Sequence, residues 1–117
     1  MRLGLAGVFV LAALAAAGSA PAARTRIVVR PATVAPGAVI RVTAASSPCL
    51  PGDQVTLLSS AFRGHAFGIG AVYGRVRAHG AFALRVRIRS NLKAARYHVG
   101  ARSGGGNLGV LGYFRVR

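Results

Sequence analysis

Residues 71–89, which read AVYGRVRAHGAFALRVRIR, decide the fold of this chain. Apolar side chains alternate with arginine and other solvent-type residues on both sides of Ala78-His79-Gly80. A period of two residues is the pattern of β-strands that have one buried face and one solvated face. We therefore predict two antiparallel strands, at residues 71–77 and 81–89, that form a β-hairpin.

The register of this hairpin follows from the side chains that share a face. A two-residue turn at His79-Gly80 would pair Arg77 with Phe82 and mix charge into the apolar face, whereas a three-residue loop keeps that face apolar. The longer loop also places Gly80 in the left-handed position that such loops favour. In this register no arginine lies directly across from another arginine, which limits like-charge repulsion. The predicted pairs are Val76 with Phe82, Gly74 with Leu84, and Val72 with Val86.

The same alternation recurs along the chain and is interrupted by glycine and proline. Turn signals stand at Ala35-Pro36-Gly37 and in the loop at residues 46–53, and a flexible glycine-rich loop is expected at residues 103–107. No helix-length period of 3.6 residues follows residue 23. About seven strands with a turn signal roughly every 8–12 residues indicate an all-β chain folded as a single antiparallel β-sandwich. The predicted strands are residues 26–30, 39–43, 54–58, 71–77, 81–89, 97–101 and 110–116.

The N-terminal segment has the layout of a secretory signal peptide. Met1-Arg2 gives a positive start, residues 3–17 are uncharged and apolar, and the small residues 18–23 follow. The apolar run is short for a membrane span, which needs roughly 20 residues. An uncleaved N-terminal anchor is the alternative to a cleaved signal peptide.

Cleavage is expected after Ala20 or Ala22. The second cut is favoured because the first one leaves Pro21 at the start of the mature chain. No further apolar run of membrane length follows, so no transmembrane segment is expected after the signal peptide. We thus predict a cleavable signal peptide at residues 1–22 and one secreted or extracytoplasmic domain at residues 23–117.

Composition excludes several classes of reaction. The 117 residues include 16 Lys+Arg and a single acid, Asp53, for a formal net charge of +15. Mechanisms that need two carboxylates, such as glycoside hydrolysis and two-metal hydrolysis, are therefore excluded. The single cysteine, Cys49, excludes thiolate zinc clusters, CxxC redox pairs and an internal disulfide. His65, His79 and His98 share no metal-ligand spacing, so we predict a chain without catalytic residues, metal or cofactor.

Arginines at the outward phase of the predicted strands form the candidate site. Such a face would neutralise the phosphates of a polyanion, either nucleic acid or an anionic envelope polymer, with two-point contacts from each guanidinium. Tyr73 and Tyr113 would stack on bases if the ligand were nucleic acid. The alternative is a solvated face with generic charge attraction, on a module whose partner is an unidentified extracellular protein. The candidate polyanion-binding residues are Arg41, Tyr73, Arg75, Arg77, Arg85, Arg87 and Arg89, and Arg115 and Arg117 share their phase.

Several motifs that are weak alone follow one another in a set order. They are Pro36-Gly37 before a strand, Cys49-x-x-Gly52-Asp53-x-Val55-x-Leu57, Gly80-x-Phe82, and Tyr97-x-Val99 followed by Gly104-Gly105-Gly106-Asn107-Leu108-Gly109. In this order, over residues 25–117, the chain resembles small exported bacterial immunoglobulin-like domains. The resemblance implies an immunoglobulin-like sandwich in an exported setting, and no catalytic residues. Tyr97 is then expected to be a tyrosine-corner residue, whose hydroxyl bonds the backbone.

Such domains often carry a second cysteine just before the glycine-rich loop, bridged to the Cys49 position. Here that neighbourhood reads Ala101-Arg102-Ser103, so the resemblance implies that the bridge is lost, and with it about 2–4 kcal/mol of stability. Three roles remain open for Cys49: a buried remnant of that bridge, a disulfide to a partner chain, or a nucleophile that would need a histidine base. The leading prediction is an exported, non-enzymatic binding or structural module, and polyanion binding is the alternative.

Overall fold

The computed structural model describes residues 25–104 and 106–117, and these residues form eight β-strands. One 3₁₀ turn, Ala78–Gly80, is the helical element among them. The all-β class is confirmed, while the predicted signal peptide and its cleavage sites lie outside the described residues. The strands are β1 (Val28–Arg30), β2 (Thr33–Val34), β3 (Val39–Ala44), β4 (Gln54–Leu58), β5 (Ala71–Arg75), β6 (Phe82–Arg87), β7 (Ala95–Ser103) and β8 (Gly106–Val116).

These strands form two sheets around one core. The smaller sheet has the order β1-β3-β6, and the larger sheet has the order β2-β8-β7-β4-β5. All pairings are antiparallel except that of β2 with β8. Ile40 and Phe82 of the smaller sheet join Leu57, Val99 and Phe114 of the larger sheet in one cluster, each at most 2% exposed. Two sheets that share a core in this way are the arrangement of a β-sandwich.

The predicted hairpin between residues 71–77 and 81–89 is wrong. β5 pairs with β4 at the edge of the larger sheet, and β6 pairs with β3 at the edge of the smaller sheet. The predicted turn at residues 78–80 is confirmed, with Gly80 in the left-handed region at φ 77°, but it lies within a longer connection, residues 76–81, that carries the chain from one sheet to the other. Alternation identifies the buried face of each strand, and that face is the same whether the strands pair or pack across the core.

The predicted partners of the hairpin are neighbours across the core instead. A Cβ atom added at Gly74 would lie 2.7 Å from the side chain of Leu84. Val76 and Phe82 are likewise both buried in the common core. A glycine within a strand often marks such a close approach, and here it lets β5 lie close to β6.

Two glycine turns precede the central strands, as predicted. The N–H of Ala38 closes the first turn with a hydrogen bond of 3.2 Å, and Gly37 has a φ of 79°. The N–H of Asp53 closes the second with a bond of 3.0 Å, and Gly52 has a φ of 89°. Glycine is favoured at the third turn position because φ is positive there. Each turn ends directly before a strand, so β3 and β4 begin where the sequence predicts.

The last two strands are longer than predicted. β7 continues to Ser103 and β8 begins at Gly106, so the loop expected at residues 103–107 is largely strand. Register shifts interrupt this pairing between Val99 and Gly100 and again between Ala101 and Arg102. Each such β-bulge leaves an extra residue unpaired and bends the strand locally. The short β2, which alternation did not indicate, pairs with the far edge of β8.

Candidate functional site

The predicted cationic face is divided between the two sheets. The smaller sheet carries Arg41, Arg85 and Arg87, the larger sheet carries Tyr73 and Arg75, the connection between them carries Arg77, and Arg89 follows β6. All of these side chains are exposed except that of Arg89, which is half-buried. The outward phase of the strand arginines is therefore confirmed. Their placement on one face is wrong, because it depended on the pairing of β5 with β6.

Three arginines stand side by side across the smaller sheet. Arg41 on β3 lies opposite Arg30 on β1 and opposite Arg85 on β6. The hairpin register, in which no arginine lies across from another, is therefore wrong for Arg85, because Arg85 faces Arg41. Adjacent strands lie about 4.8 Å apart, so this set of three, which we call the arginine row, spans about 10 Å. The sequence did not indicate Arg30 as a site residue, because its neighbours depend on the register with β3.

The arginine row has no side-chain carboxylate of this chain to neutralise it. The only acid, Asp53, precedes β4 in the other sheet. Like charges directly opposite one another destabilise a sheet, so the row favours a counter-charge from outside. A shallow depression of about 270 Å³ lies along the row and is lined by all three arginines together with Pro31 and Val39. An anionic group seated there would meet several guanidinium donors.

Two of the predicted arginines also hold turns. Nη1 of Arg87 donates to the carbonyl of Gly37 at 2.9 Å, and Nη1 of Arg75 donates to the carbonyl of Gly52 at 3.0 Å. Both carbonyls belong to the glycine turns that precede β3 and β4. Each bond orients one guanidinium and leaves its other N–H groups available, so these two side chains have a structural role besides their charge.

The outer face of the larger sheet holds a cleft that the sequence did not indicate. Its volume is about 420 Å³, and it lies between β7 and the segment that follows β4. Leu58 and Ile69 give it apolar walls, and Arg96, His98 and Asn107 give it polar groups. A mainly apolar concavity with a few polar groups is typical of small-molecule sites.

Aromatic rings on this side of the sandwich already have cationic neighbours. The guanidinium of Arg96 lies 4.1 Å from the ring centre of Tyr113, and that of Arg102 lies 4.4 Å from the ring centre of Phe67. His98 meets Tyr113 edge-on, with 5.0 Å between ring centroids. Tyr113, expected to stack on bases, is thus in contact with two side chains of its own sheet.

Cys49 is buried, and its Sγ contacts the hydroxyl of Ser103. Ser103 belongs to the segment in which the resemblance places the second cysteine, so the contact supports the interpretation of a lost bridge. A disulfide to a partner chain would need this thiol to become exposed. Asp53 and Leu108 line the same depression, and no histidine is among the described residues that line it.

Three further observations concern the predicted bond of Tyr97, metal binding and membrane-spanning segments. The hydroxyl of Tyr97 donates to the carbonyl of Lys93 at 2.9 Å, which confirms its predicted bond to the backbone. Within residues 25–104 and 106–117, no three His, Cys, Asp or Glu side chains come together as a metal-ligand group. In this same part of the chain, no helix is long and apolar enough to cross a membrane.

Similar structures inform the fold of the chain. No family model and no curated protein matches the sequence. Among solved structures, the chain is similar to macromomycin, with a TM-score of 0.51 and 18% identity, over 77% of this chain and 95% of that one. It is also similar to Pseudomonas fluorescens alkylpurine DNA glycosylase AlkC bound to DNA containing an abasic site analogue, with a TM-score of 0.51 and 19% identity, over 80% of this chain and 29% of that one. At such identities the likeness shows the fold alone.

Proposed function

We propose that this chain is an exported, non-enzymatic binding module that holds a phosphodiester polymer on the arginine row. The register of the smaller sheet carries this proposal, because it places the guanidinium groups of Arg30, Arg41 and Arg85 next to one another. Guanidinium groups bind phosphate oxygens through paired hydrogen bonds. A bound polymer would replace the mutual repulsion of these arginines with attraction.

The surroundings of the row support an anionic polymer as the ligand. A net charge of +15 with a single acid creates a positive field that raises the rate of encounter with polyanions. Val28, two residues before Arg30 on the same strand, is 41% exposed. It adds an apolar contact for a sugar or a base beside the charged row.

Two kinds of phosphodiester polymer fit this chemistry, nucleic acid and anionic envelope polymers. One of the similar structures is that of a DNA glycosylase bound to DNA, of which this chain matches 29%. Export of the chain would bring it into contact with envelope polymers as well as with shed DNA. Both polymers present singly charged phosphates at regular spacing, so both belong in the test.

We include an immunoglobulin-like sandwich and a cleaved signal peptide in this proposal. The support for export is the layout of residues 1–22. The support for the fold type is the bond from Tyr97 to the backbone upstream, which is a hallmark of immunoglobulin folds. The contact of Cys49 with Ser103 adds to it, since it occupies the place that the resemblance gives to a disulfide.

The test is binding of the purified chain to duplex DNA and to a wall-type phosphodiester polymer across a salt series. On duplex DNA, log Kobs falls with log[salt] by about 0.9 for each phosphate neutralised. Three arginines therefore predict a slope of about −3 from the row. Arg41→Gln is expected to weaken binding of the polymer and to reduce the slope by about one.

Arg117→Gln is the matched control, because it removes the same charge from an exposed position just after β8 that does not face another arginine in the strand register. It is expected to leave affinity and slope close to those of the parent chain. Equal losses in both variants would show that binding follows net charge alone and would overturn the proposal. A preference for one polymer over the other, lost in Arg41→Gln, would identify the ligand class.

The cleft on the larger sheet favours a second candidate function, the binding of a small aromatic ligand. Leu58 and Ile69 form its apolar walls, and Phe67, 67% exposed, projects from the segment that borders it. An uncharged fluorescent aromatic dye tests this candidate, because an anionic dye would bind anywhere on so basic a chain. Dye binding that Ile69→Thr leaves intact would reject the cleft as the site.

A further inference from the structure

A second cluster of arginines lies at the end of the smaller sheet, where the chain leaves β6. A depression of about 600 Å³ there is lined by Gly37, Ser90, Asn91 and three arginines. These arginines are Arg63, Arg87 and Arg89, and none of them belongs to the arginine row. We call this depression the end pocket.

The backbone of Arg89 is fixed from two sides. Its N–H donates to the carbonyl of Ala61 at 3.0 Å, and its carbonyl accepts from the N–H of Gly37 at 3.0 Å. Arg89 thereby joins the turn before β3, the end of β6 and the segment after β4. Three segments that are distant in sequence meet at this residue, so the walls of the end pocket are in place before a ligand binds.

The side chain of Arg89 lacks a comparable partner. Its Nε is shut off from solvent and has no hydrogen-bond acceptor among the residues that the structure describes. A guanidinium stays protonated in proteins, so a buried N–H of this group without an acceptor is unfavourable. Buried donors nearly always have an acceptor. The orphaned Nε therefore indicates an acceptor that comes from outside the described residues.

The other residues of the end pocket supply donors at the same place. The bond from Nη1 of Arg87 to the carbonyl of Gly37, at 2.9 Å, orients that guanidinium beside the turn. Arg63 is exposed and comes from a different segment, the one that follows β4. Ser90 and Asn91 add a hydroxyl and a side-chain amide. No acid is among the described residues that line the end pocket.

We propose that the end pocket binds a phosphoryl dianion, either the terminal phosphate of a polymer or inorganic phosphate. Three guanidinium groups suit a ligand with two negative charges and at least three acceptor oxygens better than a carboxylate, which has one charge and two oxygens. A phosphate can reach Nε only if the half-buried guanidinium of Arg89 turns edge-on to the ligand. Nε and one Nη then donate together to two phosphate oxygens, and the buried N–H gains its acceptor.

The end pocket differs from the arginine row in its residues and in its ligand. The row lies along an open sheet face and holds repeated, singly charged phosphodiesters. The end pocket is a depression between segments and takes one doubly charged group. Because the two sites share no arginine, each can be disabled without the other.

Inorganic phosphate is the first probe, added to the full chain at constant ionic strength with chloride as the balancing anion. A ligand that binds the native chain alone raises its stability by RT ln(1 + [L]/Kd), so Tm should rise with phosphate and not with acetate. Arg63→Gln and Arg89→Lys are each expected to weaken phosphate binding by about tenfold or more, because each removes a charged two-point contact. Arg63 is exposed, so its variant should fold even if that of Arg89 does not.

Arg117→Gln is the matched control, because it removes an exposed arginine that lines neither the end pocket nor the depression along the arginine row, and it should bind phosphate like the parent. A Tm that responds equally to phosphate and acetate, or phosphate affinity that Arg63→Gln leaves unchanged, would overturn the inference. Neither result would affect the polymer binding assigned to Arg41, so the two proposals fail separately.

Two oligonucleotides separate the sources of the phosphoryl group. Tighter binding of a 5′-phosphorylated strand than of its 5′-hydroxyl form, with the advantage lost in Arg63→Gln, supports a polymer end as the ligand. Equal binding of the two strands, with Arg63-dependent phosphate binding retained, supports free phosphate.

Discussion

Replacing Ser103 with cysteine is expected to create a disulfide with Cys49. The two side chains already touch, and the residues are 54 positions apart in the chain. In the chain-entropy treatment, a cross-link of this span lowers the entropy of the unfolded chain by about 14 cal/mol/K, which corresponds to about 4 kcal/mol at 25 °C. In a domain of this size about 1 kcal/mol raises Tm by about 4–8 °C. A bridge that delivers half of the calculated stabilisation therefore raises Tm by about 10 °C.

Urea unfolding followed by circular dichroism, with and without reductant, measures this effect. The oxidised Ser103→Cys chain should unfold at a higher urea concentration than the parent and should lose that advantage when it is reduced. Thiol titration in denaturant should find no free thiol in the oxidised variant and both thiols after reduction. Ser90→Cys is the matched control, because it adds a thiol at an exposed position outside the Cys49 depression, and it should keep both thiols free.

A Ser103→Cys chain that folds but keeps both thiols free under oxidising conditions would refute this reasoning. Cys49 and residue 103 would then not be in contact, and the register that pairs Ser103 with Val55 of β4 would be wrong. A disulfide that forms without stabilising the chain would have a different meaning. It would show that bridging strains the native geometry or that the unfolded chain retains structure.

Three further predictions concern packing and accessibility. Gly74→Val should lower the free energy of unfolding by about 1–3 kcal/mol, because its side chain would overlap that of Leu84; strict additivity with Leu84→Ala in urea titrations would contradict this contact. Tyr97→Phe should cost about 0.5–1 kcal/mol by removing the hydrogen bond to the Lys93 carbonyl, and unchanged stability in the same assay would show that the bond contributes nothing in solution. The thiol of Cys49, 7% exposed, should react with a thiol reagent far more slowly in the native chain than in urea, and equal rates would contradict its burial.

Alternation of residue types was sufficient to predict most of the strands but not their partners. β3 and β4 match their predicted residues closely, because a glycine turn fixes where each strand begins. The pairing of β5 with β6 was wrong, because two strands joined by a short connection have the same alternation whether they form a hairpin or belong to different sheets. The packing of Gly74 against Leu84 across the core separates the two cases, and it is a tertiary contact.

The candidate sites depend on these tertiary contacts more than the strands do. The outward phase of Arg41 and Arg85 is a property of each strand alone, so the sequence predicted it. That Arg30 lies beside Arg41 depends on the register of β1 with β3. Arg63 shares the end pocket with Arg89, although the sequence of residues 61–70, interrupted by Gly64, Gly68 and Gly70, does not indicate a strand there. The alternation of residue types within one segment does not determine which other segments it contacts in the fold.

The arginine row favours binding of a polyanion but lowers the stability of the unliganded fold. Directly opposed like charges cost up to about 1 kcal/mol for each pair, and less in salt, and the row contains the pairs Arg30–Arg41 and Arg41–Arg85. Small domains have only about 5–15 kcal/mol of stability in total, so this repulsion matters to the unliganded chain. A polyanion that binds the row must also stabilise the fold, because the same free energy enters both equilibria. Substitution of Arg41 therefore trades affinity for stability, whereas a bridge at Ser103 adds stability without changing the row.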